Sequence, residues 1–379
     1  MNRLQELQDA GVSIWLDTLS RELLESGDFA RLIADCAVTG ATSNPSIFAK
    51  AITSSDRYDD QLRAAVASGT RDPQELFFEL ALEDVRRAAD LLRPAFDESD
   101  GRDGFVSFEC TPDLADDSEA TIEQALELWR RLDRPNTMIK VPATSAGIPA
   151  IEELTSRGVN VNVTLLFSVA RYEQVIDAYL TGLERRLASG EPVDAIASVA
   201  SFFVSRVDAK VDPLLPADSG LRGRVAIANA RLAYARYLDR FSEHPSLADE
   251  RWLALRDAGA RSQRPLWAST ATKDPAYSDV LYVDRLITPG AVNTMPEATL
   301  RAFADHGDVK HALAIAGAAN ATLRRVAEAG IELDALTGEL EREGVRSFCD
   351  SYHELLDCIE IKRQPMLAAA ELPGFSSGH

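Results

Sequence analysis

Residues 137–163 read TMIKVPATSAGIPAIEELTSRGVNVNV. The apolar run 137–141 predicts a strand, 146–156 predicts a helix closed by Gly158, and 159–163 predicts a second strand. A helix between two short apolar strands is the crossover that parallel pairing needs, whereas antiparallel neighbours need only a hairpin. Inside the first strand stands Lys140, between Met138-Ile139 and Val141-Pro142. Burying an unpaired charge in such a run costs free energy, so it needs a reason. The 40 basic residues include only six lysines. A chain so committed to arginine uses lysine here for something arginine cannot do. Arginine stays protonated, while a desolvated lysine amine can lose its proton and attack a carbonyl. The competing reading is a strand-end lysine that reaches solvent or sits in a buried ion pair.

The same alternation extends in both directions. Further strands are expected at 12–16, 37–41, 104–110, 195–200, 265–269 and 291–294. After the first strand a helical pattern ends near Gly27. Asn44-Pro45 carries a helix cap and a first-turn proline, and Asp72-Pro73-Gln74-Glu75 is a second start. The stripe Phe77, Leu80, Ala81, Val85, Ala88, Leu92 then repeats at helical spacing. Helices are also expected at 118–133, along Tyr172–Leu187 and through 219–260. Eight strands with helical crossovers predict an α/β fold closed as a (β/α)8 TIM barrel. An open doubly wound sheet is disfavoured, since no GxGxxG follows the first strand. With no convincing linker, 1–379 reads as a single barrel domain. Its extra length goes into helical insertions near 56–98 and 214–262 and a C-terminal helical segment near 309–363. Residues 371–379 are expected to form a frayed tail.

Hydrophobic residues make up 46% and charged residues 26% of 379, which is a globular balance. The net charge of −20 disfavours nucleic acid as a partner. Any site for an anion must therefore be a local focus of cations. Cys36, Cys110, Cys349 and Cys358 have no metal-ligand spacing, so no metal is expected. Neither a secretory leader nor a membrane-length apolar stretch is recognised, and the expected location is cytoplasmic.

In a barrel of this kind the active site lies at the C-terminal ends of the strands. Asp17 ends the first, and the second runs into Thr42-Ser43-Asn44. Glu109 and Lys140 stand on the third and fourth, and Asn162 and Thr164 on the fifth. Ser201 follows the sixth with Phe203 and Arg206 just beyond, and Ser269 ends the seventh with Lys273 close behind. Singly, each has an ordinary explanation: Asp17 and Asn44 as caps, Thr164 as a strand threonine, Arg206 and Lys273 as solvated charges. His244, His306, His311, His353 and His379 all fall away from these ends. Acid–base work would then fall to carboxylates and the amine.

Five ordered segments carry a family resemblance. They are Gly40–Phe48 (GATSNPSIF), Met138–Ile148 (MIKVPATSAGI), Asn160–Ser168 (NVNVTLLFS), Ser201–Asp208 (SFFVSRVD), and Trp267–Lys273 (WASTATK) followed by Val292–Pro296 (VNTMP). They resemble the transaldolases, class I Schiff-base enzymes of the pentose phosphate pathway, in their longer bacterial and plant-type branch. The resemblance implies that Lys140 forms an imine with C2 of a ketose phosphate. It implies that Glu109 shuttles protons through a water and that Asp17 takes the C4 hydroxyl proton as the C3–C4 bond breaks. Asn44, Asn162, Thr164 and Ser201 would hold dihydroxyacetone hydroxyls or position the water, with Thr164 counted among the catalytic residues. Ser43 and Phe203 would line the substrate, and Arg206 would bind its phosphate. No cofactor is implied, because the imine nitrogen is itself the electron sink. The implied partners are sugar phosphates, and the chain would act as a monomer or homodimer.

One segment departs from the better-known branch, where an arginine closely follows the Ala-Ser of the seventh strand. Here Ala268-Ser269 leads to Lys273, so Ser269 and Lys273 are expected at the second phosphate contact. Two other readings stay open. The related fructose 6-phosphate aldolases, which release free dihydroxyacetone, resemble shorter chains with Gln in place of Glu109 and Tyr in place of Phe203. The other is a barrel that has lost catalysis and only binds metabolites.

Overall fold

In the computed structural model, which describes residues 2–242, 244, 249–309 and 316–371, eight short strands pair in parallel around a closed ring. They are β1 Ser13–Leu16, β2 Val38–Thr42, β3 Val106–Glu109, β4 Thr137–Pro142, β5 Val161–Leu166, β6 Ser198–Phe203, β7 Arg264–Ala268 and β8 Val292–Met295. Their order around the ring is their order in the chain, with β1 closing on β8. Almost every strand residue is buried, because one face fills the barrel and the other packs on helices. One apolar cluster runs from Leu4 to Ile359 and joins strands to helices throughout.

The capping chemistry sets where the helices begin. Asn44 accepts the Ile47 amide at 3.0 Å and starts Pro45–Thr53. Asp72 accepts the amides of Gln74 and Glu75 and starts Pro73–Glu98. A short helix, Asp28–Cys36, lies where none is expected from the pattern. The insertions hold Asp59–Ser68 and Pro73–Glu98 in one case and Val225–Arg240 and Glu250–Asp257 in the other. The later segment holds Ala316–Glu328 and Leu333–Glu371. Of the expected tail 371–379, Glu371 is the last residue of the helix Leu333–Glu371, and 372–379 with His379 lie outside the described residues, as does His311.

Two strands lie later than their apolar runs suggest. β5 begins at Val161 and reaches Leu166, and β6 begins at Ser198 and reaches Phe203. The run around β6 starts early because Val193 and Ile196 close a turn, with the Ile196 amide on the Val193 carbonyl at 3.2 Å. Pairing with β7, Ser201 beside Leu266 and Phe203 beside Ala268, then sets the register. Thr164, Ser201 and Phe203 are therefore strand residues, and Arg206 belongs to the helix Ser205–Val211. No described helix is long and apolar enough to cross a membrane.

Candidate active site

Strand pairing turns residues that are far apart in sequence into neighbours. Glu109 lies beside Lys140, and Lys140 beside Asn162. The Lys140 ammonium, in a residue 5% exposed, donates to the Ser43 carbonyl at 2.9 Å and to Glu109 Oε2 at 3.2 Å. Ser43 is fixed in turn by its hydroxyl, which donates to the Ser107 carbonyl at 3.0 Å. Burial pushes the Glu109 carboxyl above its usual range; the Lys140 charge pulls it back and the Asp17 charge adds to the rise.

Asp17 stands just past β1, its amide bonded to the Met295 carbonyl at 2.8 Å. Thr42 donates to Asp17 Oδ1 at 2.8 Å, and the Thr42 and Thr294 hydroxyls are 2.8 Å apart. Burial also raises the Asp17 carboxyl, against the opposing pull of Lys140, Thr42, Lys273 and Arg206. The two carboxylates thus flank one amine with different neighbours, a division suited to two separate proton transfers.

A second set of hydrogen bonds runs along the barrel floor. Ser201 donates to Asn162 Oδ1 at 2.6 Å, and Asn162 Nδ2 donates to the Ser107 hydroxyl at 2.9 Å. The Thr164 hydroxyl is buried and has no partner among the described residues, which leaves it free for a water or a ligand. Asn44 uses its side-chain oxygen as a cap, so only its amide nitrogen remains to reach a substrate.

The opposite side of the mouth is cationic. Arg206 is half-buried, with its guanidinium 5.5 Å from the Phe203 ring centroid, and Phe203 packs on Phe167 at 5.2 Å. Loss of water lowers the Arg206 guanidinium below its ordinary value. It also lowers the Lys273 amine, which Arg206 lowers further by like charge. Neither cation forms an ion pair among the described residues, although the chain carries 60 acidic residues. Two adjacent unpaired cations in such a protein suit a dianion. Ser269, at a left-handed φ of 55°, tethers this region, its carbonyl and hydroxyl meeting the Ser205 amide and hydroxyl at 3.0 Å each.

Asp17, Ser43, Asn44, Glu109, Phe203, Arg206, Ser269 and Lys273 lie at or just past the C-terminal ends of their strands, whereas Lys140, Asn162, Thr164 and Ser201 lie inside β4, β5 and β6, with Asn162 and Ser201 bonded to each other. Thr42 stands among the expected strand-end residues without a role, and Thr294, Ser107 and Phe348 are not among the expected site residues. The first three share a signal in hindsight, a hydroxyl at an inward position of an apolar strand. Phe348 carries no such signal, because it comes from the helix Leu333–Glu371, and its ring centroid lies 6.0 Å from the Lys140 ammonium.

The family model described as transaldolase/fructose-6-phosphate aldolase matches residues 14–359. The chain is 51% identical over 363 residues to a transaldolase of Saccharopolyspora erythraea, covering 94% of this chain and 97% of that one. It is 52% identical over 359 residues to one from Acidothermus cellulolyticus, covering 93% and 94%. A transaldolase of Thermobifida fusca is 50% identical over 362 residues, covering 93% and 96%.

Proposed function

This chain belongs to the transaldolase/fructose-6-phosphate aldolase family, and we propose that it transfers a dihydroxyacetone unit from a ketose phosphate to an aldose phosphate through an imine on Lys140. The observation that carries this reading is the buried Lys140 amine between the Ser43 carbonyl and the Glu109 carboxylate. Donors would be sedoheptulose 7-phosphate or fructose 6-phosphate, and acceptors glyceraldehyde 3-phosphate or erythrose 4-phosphate.

The amine, once neutral, attacks C2 of the donor. Glu109 passes protons through a water, with the free Thr164 hydroxyl available to hold it, and the carbinolamine loses water to give the iminium. Asp17, aligned by Thr42, removes the C4 hydroxyl proton. The C3–C4 bond then breaks, its electrons move to the iminium nitrogen, and an aldose phosphate leaves. The enamine on Lys140 attacks the carbonyl carbon of the second aldose, and hydrolysis releases the new ketose. Arg206 and Lys273 hold the phosphate, Ser269 supports that side, and Asn44, Ser43, Asn162, Ser201 and Phe203 line the dihydroxyacetone portion. All these residues come from one chain, so either a monomer or a homodimer is compatible, and the cytoplasm is the proposed place of action.

Glu109 and Phe203 favour transfer over simple aldol cleavage, where the related aldolases resemble chains with Gln and Tyr. The deciding assay follows glyceraldehyde 3-phosphate release from fructose 6-phosphate with and without erythrose 4-phosphate. Acceptor-dependent release with sedoheptulose 7-phosphate is expected. Equal release without acceptor, with dihydroxyacetone accumulating, makes the chain an aldolase; no release at all removes the reading.

A further inference from the structure

The helix Leu333–Glu371 lies across the mouth of the barrel rather than beside it. It is fastened to the segments that follow four different strands. Ser351 meets Ser46 at 2.7 Å after β2, and His353 meets Asp113 at 2.9 Å after β3. Glu341 pairs with Arg171 at 3.4 Å after β5, and Glu343 with Lys210 at 2.6 Å after β6. Gly344 lets the helix settle on β5, since a Cβ there would stand 2.8 Å from Leu165. Tyr352 is inserted against Phe77 at 6.0 Å. Anchored on both sides of the opening, this helix places Phe348, 4% exposed, over the Lys140 nitrogen.

We propose that Phe348 is a specificity-determining residue, a roof that keeps bulk water from the enamine on Lys140, and from the iminium its protonation gives, between departure of the first aldose and arrival of the second. The proposal rests on the Lys140 imine described above. At 6.0 Å the ring is at the outer limit of a cation–π attraction, so exclusion of water is the larger part of its effect. The reaction it suppresses is a balanced one. The enamine carbon takes up a proton to give the dihydroxyacetone iminium. A water oxygen adds to C2 and passes one proton to the nitrogen; the C–N bond breaks as the same oxygen gives up its second proton, which balances the one taken up by carbon. Dihydroxyacetone leaves as a ketone and Lys140 returns as a free amine. The mechanism proposed above uses one water, at Thr164 and Glu109; the roof limits the supply of others.

The test is the series Phe348→Leu, Phe348→Val and Phe348→Ala, assayed with fructose 6-phosphate and erythrose 4-phosphate. For each variant that folds, two quantities are read: the ratio of free dihydroxyacetone to sedoheptulose 7-phosphate, and borohydride trapping of the imine on Lys140. The ratio is expected to rise in the order Leu, Val, Ala, reaching on the order of tenfold above the parent, which is about 1.4 kcal/mol of lost discrimination against water. A flat ratio with trapping intact, even if kcat falls, reduces Phe348 to a packing residue and overturns the proposal. Absence of a trapped imine in the parent overturns the lysine mechanism itself, a separate failure.

Discussion

Two buried ion pairs in this molecule look alike in composition and differ in what surrounds them. Arg21 and Asp84 meet at 2.7 Å, with side chains 7% and 0% exposed. Lys140 and Glu109 meet at 3.2 Å, both 6% exposed. Around the first pair both carboxylate oxygens are taken, one by Arg21 and the other by the Tyr58 hydroxyl at 2.8 Å. Arg21 also donates to the Leu80 carbonyl and stacks over Tyr58, 4.7 Å from its centroid. Around the second, Glu109 has no side-chain partner other than Lys140 among the described residues. Its second carboxylate oxygen has no hydrogen bond among the described residues. A buried pair that is fully bonded is a joint between elements, here the helix Arg21–Glu25 after β1 and Pro73–Glu98. One left incompletely bonded, with a lysine that can lose its proton, is equipped to react.

The comparison breaks most sharply at Lys140. Lys140→Arg keeps a cation beside Glu109 but cannot form an imine, so turnover is expected to fall to the uncatalysed background, as in Lys140→Met. Survival of ketose phosphate turnover in either would end the assigned mechanism. Glu109→Gln comes next, with kcat lowered by about 10²–10⁴-fold, the usual scale for a general acid–base group. Because burial raises Glu109 and Asp17, the ionised form of each is lost as pH falls through a value above the ordinary carboxylate range. The acid limb of kcat/KM should therefore lie above that range, and an ordinary limb near the free-carboxylate value would contradict the assignment.

At the structural pair the expected loss is of a different kind. Asp84→Ala strands a buried guanidinium and should cost about 3–5 kcal/mol of stability, read by denaturant unfolding. Its kcat, measured on folded protein, should stay near the parent value; a rate loss comparable to Glu109→Gln would erase the distinction. At the cationic side, Arg206→Ala should raise KM for the phosphorylated donor by about 10–100-fold, the scale of a charged hydrogen bond. Lys273→Ala should raise it less, and a KM untouched by either change would relocate the phosphate.

The smallest effect sharpens the comparison with a third buried carboxylate. Asp208 accepts the Ala226 amide at 2.7 Å and the Tyr282 hydroxyl at 3.0 Å. Burial raises it from 3.8 to about 7, the amide bond opposes the rise, and nearby Asp212 adds to it. Its folded value lies above its unfolded one, so its contribution to stability is complete below about 3.8 and is lost as pH rises through about 7. Asp208→Asn should flatten the dependence of Tm on pH across that window, and an unchanged slope would assign the dependence to other groups.

Much of this architecture is legible in local sequence because local physics produces it. Asn44-Pro45 and Asp72-Pro73 start helices by bonds to their own next few residues. Lys140 is conspicuous because five consecutive residues state the conflict between charge and burial. Registers are less legible. Nothing within 195–203 decides between a strand at its start and one at its end; the partner strand β7 does. The Thr42–Thr294 contact joins residues 252 positions apart, and no pattern near either residue encodes it.

The chain's own order of residues determined the fold class, the place of Lys140 on the fourth strand, and the family. Periodicity, capping and motif order are short-range properties, written where they act. Tertiary structure decided which hydroxyls are already bonded and which stay free, that Arg206 and Lys273 feel each other's charge with no ion pair at either among the described residues, and that the Phe348 ring lies near Lys140. Those depend on closing a ring of eight strands and laying a distant helix across it, and contacts of that kind are chosen by packing of the whole rather than by any segment alone.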